Sequence, residues 1–172
     1  MNLKDCHNFH DFRRLAKKKL PSPIFHYIDG GSDDETTLNR NTAAFNDYDL
    51  IPNVLNDVSN VDMSTTVLGE KIDFPLFPSA TAMHRLYHHE GERASAKAVE
   101  KMGTIFGTST MGTVSIEEIG KINKGPKSFQ LYIHKDRGLT DNLLERCKKA
   151  GFTSLCLTVD TVVAGKRERD RR

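Results

Sequence analysis

The sequence predicts an α/β fold built on a parallel sheet, preceded by short helices and a small β-hairpin. Three observations lead there. Beyond residue 73, short apolar β-prone runs alternate with amphipathic helical stretches. Each helical stretch is of the size that a crossover between parallel neighbours requires. The residues after each apolar run are small and polar, and parallel α/β sheets bind ligands beyond the carboxyl ends of their strands.

The N-terminal elements are helical. From Phe9, the apolar Phe12, Ala16 and Leu20 recur at helical spacing among Arg13, Arg14, Lys17, Lys18 and Lys19, which predicts an amphipathic helix ending at Leu20-Pro21. Pro21 and Pro23 start a second helical turn through Phe25, Tyr27 and Ile28, expected to stop at Gly30-Gly31 in left-handed backbone. Ser32 with Glu35 reads as a capping box opening a third helix, with Leu38, Ala43, Ala44 and Phe45 on it. From 50 to 69 the pattern changes to β-prone pieces broken by Pro52, Asn53, Asn56 and Asn60, ending in a hairpin around Thr65-Thr66-Val67-Leu68-Gly69.

The alternating part follows. Phe74-Pro75-Leu76-Phe77-Pro78 is the first strand expected, followed by a helix from about 90 to 102 closed by Gly103. A second strand is expected at 103–108, a helix capped by Ser115 with Glu118, and a third strand at 129–133. Thr140 is expected to cap a helix carrying Leu143, Leu144, Cys147 and Ala150, before a fourth strand at 153–159. This divides the chain into a helical and hairpin segment, 1–70, and a sheet-forming segment, 71–172.

Composition narrows the class. The chain has 172 residues, 37% of them apolar and 28% charged, and no apolar run approaches the roughly 20 residues of a membrane span. The N-terminus lacks a basic patch followed by an apolar stretch, and Asp5 and Asp11 do not suit a transit peptide, so the expected location is cytoplasmic. Cys6, Cys147 and Cys156 are odd in number and lack metal-site spacing, and read as reduced thiols. A net charge of +2 does not call for a nucleic-acid partner, and Glu168 and Asp170 dilute the basic run Lys166, Arg167, Arg169, Arg171 and Arg172.

The polar residues at the strand ends are Ser79-Ala80-Thr81-Ala82-Met83 after the first, Thr108-Ser109-Thr110 after the second, Gln130 and Tyr132 in the third, and Thr158 and Asp160 after the fourth. Singly, each is also what finishes a strand or caps a helix. On their own, Tyr27 and Tyr132 read as half-buried aromatic packing, and Arg167 as a solvated member of a charge run. His84 and His88, four apart, with His89 and Glu90 invite a metal reading; the plainer one makes 88–91 a loop and helix start with Glu90 complementing the helix N-terminus, and we expect no metal site.

Taken together, Tyr27-Ile28-Asp29-Gly30-Gly31-Ser32-Asp33-Asp34, Ala80-Thr81-Ala82-Met83, His88-His89-Glu90-Gly91-Glu92, Phe129-Gln130-Leu131-Tyr132 with Lys135-Asp136-Arg137, and Leu157-Thr158-Val159-Asp160-Thr161 with Gly165-Lys166-Arg167-Glu168 resemble, in order and spacing, the landmarks of the FMN-dependent 2-hydroxy-acid dehydrogenases and oxidases. The resemblance runs from about Phe9 to Arg172. It implies the N-terminal part of a TIM (β/α)₈ barrel, with FMN across the carboxyl-end face and the segment 71–172 giving the first four strands. Such a barrel usually takes about 250 residues, so the chain reads as the first part of a longer protein.

The resemblance also implies roles. The backbone of Ala80, Thr81 and Ala82 lies against the flavin ring, and Ser109, Gln130 and Thr158 hydrogen-bond its polar edge, which tunes its electronics. Tyr27, Tyr132 and Arg167 contact the carboxylate or hydroxyl of a small 2-hydroxy acid. Asp160 orients a catalytic histidine, the base, which with a flavin-facing lysine and a second arginine belongs to later strands. The expected partners are that substrate and an electron acceptor, oxygen or a respiratory carrier; a homo-oligomer is expected at full length, and peripheral association with the inner membrane is left open. Met111 stands where plant-type glycolate oxidases carry tryptophan, which favours L-lactate over glycolate. Alanine at 80 and Val162-Val163 depart from the prolines of many relatives without removing a polar contact. The competing readings are another FMN-dependent barrel enzyme such as an isomerase, and a barrel that has lost catalysis and serves as a scaffold.

Overall fold

The computed structural model describes residues 2–171; Met1, the side chain of Arg171 and all of Arg172, the last of the basic run, lie outside the described residues. Contacts divide the chain into two units, Met1–Asn56 with Val163–Arg172, and Asp57–Val162.

In the first unit, helix α1 spans Phe9–Lys19. Asn8 caps it by accepting the Asp11 N–H at 3.0 Å, and the Asp11 carboxylate returns the favour to the His7 N–H at 3.0 Å. Lys17, Lys18 and Lys19 stand in its last turn, where cations suit the helix dipole, and the chain turns extended at Leu20 ahead of Pro21. Helix α2, Ser22–Asp29, has Pro23 in its first turn. Its end differs from expectation: Gly30 is extended, at φ −95°. What the glycine supplies is room, since a Cβ there would lie 2.8 Å from the His26 carbonyl.

Helix α3, Thr36–Ala43, lacks the expected capping box. Glu35 sits in left-handed backbone at φ 57°, and its carboxylate takes the Gly31 N–H at 3.0 Å and the Arg169 guanidinium at 3.0 and 3.3 Å. A remote arginine has thus drawn the carboxylate away from the Ser32 backbone.

In the second unit, the expected hairpin forms between β1, Thr65–Val67, and β2, Glu70–Ile72, in antiparallel register with Val67 opposite Glu70. Leu68 and Gly69 both have positive φ, 53° and 82°, as a two-residue hairpin turn demands. No strand forms at 50–64. There the side chains of Asp57 and Asp62 take the N–H groups of Ser59 and Ser64 at 2.9 and 2.8 Å, local bonds that compete with sheet pairing.

The sheet-forming part gives β3 (Phe106–Ser109), β4 (Lys127–Leu131) and β5 (Ser154–Leu157), paired in parallel in that order. The strand expected at 74–78 is reduced to one parallel bridge, Thr81 to Thr108. Pro75 and Pro78 have no N–H to give a ladder. The segment is held beside β3 by Asp73 N–H to the Gly103 carbonyl, 2.8 Å, and the Thr104 hydroxyl to the Leu76 carbonyl, 2.9 Å.

The crossovers are α4 (Glu92–Lys101), α5 (Ile116–Ile122) and α6 (Arg137–Lys149). Ser115 caps α5 by accepting the Glu118 N–H at 3.2 Å. Helix α6 begins four residues earlier than expected, because Asp136 caps it through the N–H groups of Gly138 and Leu139 at 2.9 and 3.4 Å. Thr140 is buried inside it instead, accepting the His134 N–H at 3.2 Å. Two apolar clusters seat these helices on the sheet: Ala96, Val99, Phe106, Val114 and Ile119, and Ile116, Phe129, Leu131 and Cys147. Burial pushes the Cys147 thiol up to about 11, so it behaves as a small apolar side chain. Among the described residues, no helix is long and apolar enough to cross a membrane.

Candidate functional site

The register fixes the geometry at the carboxyl ends of the strands. Ser109 lies opposite Gln130, and Gln130 opposite Cys156, so the residues that finish adjacent strands come into one row. The Ser109 hydroxyl donates to Gln130 Oε1 at 2.8 Å, and Gln130 Nε2 donates to Thr158 Oγ1 at 2.6 Å. Ser109 Oγ in turn accepts the Met111 N–H at 3.1 Å, and Gln130 Oε1 also takes the Thr110 N–H at 3.3 Å. The amide is therefore oriented by its neighbours: Oε1 faces two donors, while Nε2 gives one N–H to Thr158 and keeps a second. Ser109 and Gln130 are buried and Thr158 is half-buried.

Ala80, Thr81 and Ala82 are brought next to this row by the Thr81–Thr108 bridge. The approach is close: a Cβ on Gly107 would lie 3.0 Å from the Ala80 nitrogen and 3.2 Å from the Pro78 carbonyl. Tyr132, half-buried, follows directly on β4. Its N–H donates to the Thr110 hydroxyl at 3.1 Å. Asp160 is exposed in the loop two residues past Thr158.

In the other unit, Tyr27 and Arg167 are brought together. The Arg167 guanidinium stands 5.0 Å from the centroid of the Tyr27 ring, donates through Nη2 to the Tyr27 carbonyl, and is braced by Asp170 at 2.8 Å. Beside them, Asp29 accepts from Arg13 at 2.5 and 2.9 Å and from Arg169 at 2.9 Å. The Arg13 hydrogen bond, followed by the charges of Arg13 and Arg169, holds the Asp29 carboxyl below its usual range against the opposing pull of burial.

Three residues to which the sequence reading gave no role of their own support the site. Glu92, 0% exposed at the start of α4, accepts the Thr113 N–H and hydroxyl at 2.8 and 2.6 Å and the His84 N–H at 3.3 Å. Burial pushes its carboxyl up, but these bonds and its own backbone N–H outweigh that and hold it low. Glu92, with Thr113, thus ties the loops after the 74–82 segment and after β3 to one helix end, the place the sequence reading gave to Glu90. Thr110 is the third, donating its hydroxyl to the Gln130 carbonyl at 2.7 Å. A carboxylate following glycine at a helix start, and the threonines of Thr110-Met111-Gly112-Thr113, were the available signals.

Among the described residues, no group of three or more His, Cys, Asp or Glu could hold a metal. His84 pairs through Nδ1 with the Ser95 hydroxyl at 3.2 Å, and His88 and His89 stack at 4.4 Å. Clefts of about 500 Å³ beside Leu144 and Phe152, and of about 400 Å³ beside Phe74 and Met102, include none of Ser109, Gln130 or Thr158.

The model of a family described as FMN-dependent dehydrogenase matches residues 16–172. Spinach (Spinacia oleracea) glycolate oxidase is 42% identical over 163 residues, which is 95% of this chain and 44% of that protein. The L-lactate dehydrogenase of Vibrio parahaemolyticus is 46% identical over 160 residues, 93% of this chain and 42% of that one. The flavin-binding domain of baker's yeast flavocytochrome b2 superposes with a TM-score of 0.92 at 34% identity, covering 99% of this chain and 45% of that one. The chain spans less than half the length of these relatives. The architecture is the N-terminal part of a TIM barrel with its helices and hairpin ahead of it, and with 157 of its 172 residues matched, 16 to 172, the chain belongs to the FMN-dependent dehydrogenase family.

Proposed function

We propose that this chain supplies the flavin-edge half of an enzyme that oxidises a small L-2-hydroxy acid to the 2-oxo acid, with L-lactate favoured over glycolate. The single observation that carries the reading is the hydrogen-bonded row Ser109–Gln130–Thr158 across three strand ends. Bound FMN supplies a two-electron acceptor. The row suits it: the pyrimidine edge of a flavin alternates carbonyl oxygens with an N–H, and an oriented amide flanked by hydroxyls offers both donors and acceptors to such an edge. The small side chains of Ala80 and Ala82 suit the close approach of a flat ring to this backbone, which packs tightly on Gly107.

The other assignments are part of the same proposal. The segment from residue 71 forms the first barrel strands, and residues 1–70 the preceding helices and hairpin. Gln130 and Thr158 bind the flavin edge directly; Ser109 holds the amide, since its hydroxyl proton is spent on Gln130. Tyr132 bonds the substrate, and Tyr27 with Arg167 serves its carboxylate. Asp160 accepts from the imidazole of the base and stabilises the imidazolium formed when the substrate loses its proton. Preference for lactate rests on Met111, a flexible side chain 51% exposed, and on the names of relatives at 46 and 45% identity, an L-lactate dehydrogenase and an L-lactate oxidase. Oxygen or a respiratory carrier takes the electrons, and the whole protein assembles as a homo-oligomer in or at the edge of the cytoplasm.

The test uses the longest reading frame that contains this chain. It is purified, its visible spectrum is taken, and L-lactate or glycolate is added without oxygen. A flavin spectrum bleached faster by lactate is expected. A protein that FMN cannot reconstitute contradicts the flavoenzyme reading; faster bleaching by glycolate reverses the substrate order.

A further inference from the structure

We propose that Thr110 is a positioning residue for Tyr132, acting through a side-chain rung that replaces the last backbone rung between β3 and β4. The inference rests on the proposed function, because it concerns how that reaction's tyrosine is held.

The ladder runs regularly up to Gln130, whose carbonyl accepts the Thr110 N–H at 2.9 Å. In a parallel pair the next bond joins the N–H of residue 132 to the carbonyl of residue 110. Here the Tyr132 N–H goes instead to the Thr110 hydroxyl oxygen, at 3.1 Å. The same hydroxyl donates its proton to the Gln130 carbonyl, at 2.7 Å. Its donor and its acceptor capacity are both used on β4, on either side of Leu131.

This arrangement resolves a conflict. After Ser109 the chain turns away, with the Gly112 N–H returning to the Ser109 carbonyl at 2.9 Å and the Met111 carbonyl accepting the Met83 N–H at 3.1 Å. The turn takes the Thr110 carbonyl out of the ladder, yet β4 must stay fixed one residue further to hold Tyr132. The hydroxyl lets β3 leave while β4 remains tethered. Serine could do the same; valine, equal in shape to threonine, could do neither half of it.

The test compares wild type, Thr110→Val, Thr110→Ser, Tyr132→Phe and the Thr110→Val/Tyr132→Phe double variant in the full-length holoenzyme. Rates of flavin reduction, the FMN dissociation constant, melting temperature and hydrogen exchange at the Tyr132 amide are read for each. Thr110→Val is expected to slow flavin reduction about 10- to 100-fold, as a misplacement of up to about 1 Å does, and to speed exchange at the Tyr132 amide. FMN affinity should change little, Thr110→Ser should restore the rate, and the double variant should be no slower than Tyr132→Phe alone. Wild-type reduction by Thr110→Val, additive losses in the double variant, or a lowered melting temperature with an unchanged rate would each overturn the inference. A wild type that neither takes up FMN nor is reduced by either acid overturns the proposed function instead, and the catalytic consequence with it.

Discussion

Gln130 is 8% exposed and is held through neutral groups, with partners at 2.8 and 2.6 Å at the ends of two neighbouring strands. Asp29 and Glu35, in the other unit, are held by arginines that remain about a third to a half exposed, Arg169 at 32% and Arg13 at 47%. Both networks position backbone that the proposed function uses: the strand ends in one, the segment carrying Tyr27 in the other. Their strengths differ in origin. The neutral row gains little per bond against water and is costly to break, because its members have nowhere else to turn. The charged one is screened by salt and shared with solvent, so any one of its pairs is worth little. The strand-end row is thus built from buried neutral bonds, and the network around Asp29 and Glu35 from adjustable charged ones.

The buried carboxylate at α4 should give the largest effect. Replacing Glu92 by Leu strands the Thr113 hydroxyl and two N–H groups, and should lower stability by about 3 kcal/mol, read by chemical denaturation. A loss under 1 kcal/mol would mean the loops find other partners. Gln130→Leu comes next, at about 1–3 kcal/mol, since the Ser109 and Thr158 hydroxyls lose their shared partner while the Thr110 N–H keeps the Gln130 carbonyl.

On the charged side, Arg169→Ala should cost about 1 kcal/mol or less, and the cost should shrink in 1 M salt while that of Gln130→Leu does not. Equal salt dependence would erase the contrast between the two networks. The smallest effect concerns Glu117, whose hydrogen bond to Arg146 at 2.6 Å holds its carboxyl down at about 2 against an ordinary 4.5. The folded-state value is depressed, so its contribution is present above about 4.5 and disappears as pH falls toward 2. Both side chains are over a third exposed, so the acid-limb difference between wild type and Glu117→Gln should be a small fraction of the full linkage value.

The alternation of apolar runs and amphipathic helices made the parallel sheet legible, because side-chain periodicity is a local property. So were the first helix from Phe9, the Ser115 cap and the hairpin around 65–69. What the sequence hid depends on remote partners. The Glu35 carboxylate belongs to Arg169, 134 positions away, so a capping box was expected where an ion pair stands. Pro75 and Pro78 turned an apolar run into a single bridge. The resemblance supplied Ser109, Gln130 and Thr158 as separate names, and only the register shows them bonded in a row, with Ser109 behind Gln130. Thr110 and Glu92 were given no role because a threonine at a strand end and a glutamate at a helix start have ordinary local explanations, and their bonds to Gln130 and Thr113 span 20 and 21 positions.

The central claim is that the Ser109–Gln130–Thr158 row holds the polar edge of the flavin. It is tested by titrating FMN into the flavin-free, full-length wild type and Gln130→Leu, with each variant's folding checked by melting temperature. We expect the wild type to bind FMN at one per chain, and folded Gln130→Leu to bind at least about tenfold more weakly with an altered flavin absorption band. Equal affinity and an identical spectrum in the two proteins would contradict the assignment and leave the row a structural feature alone.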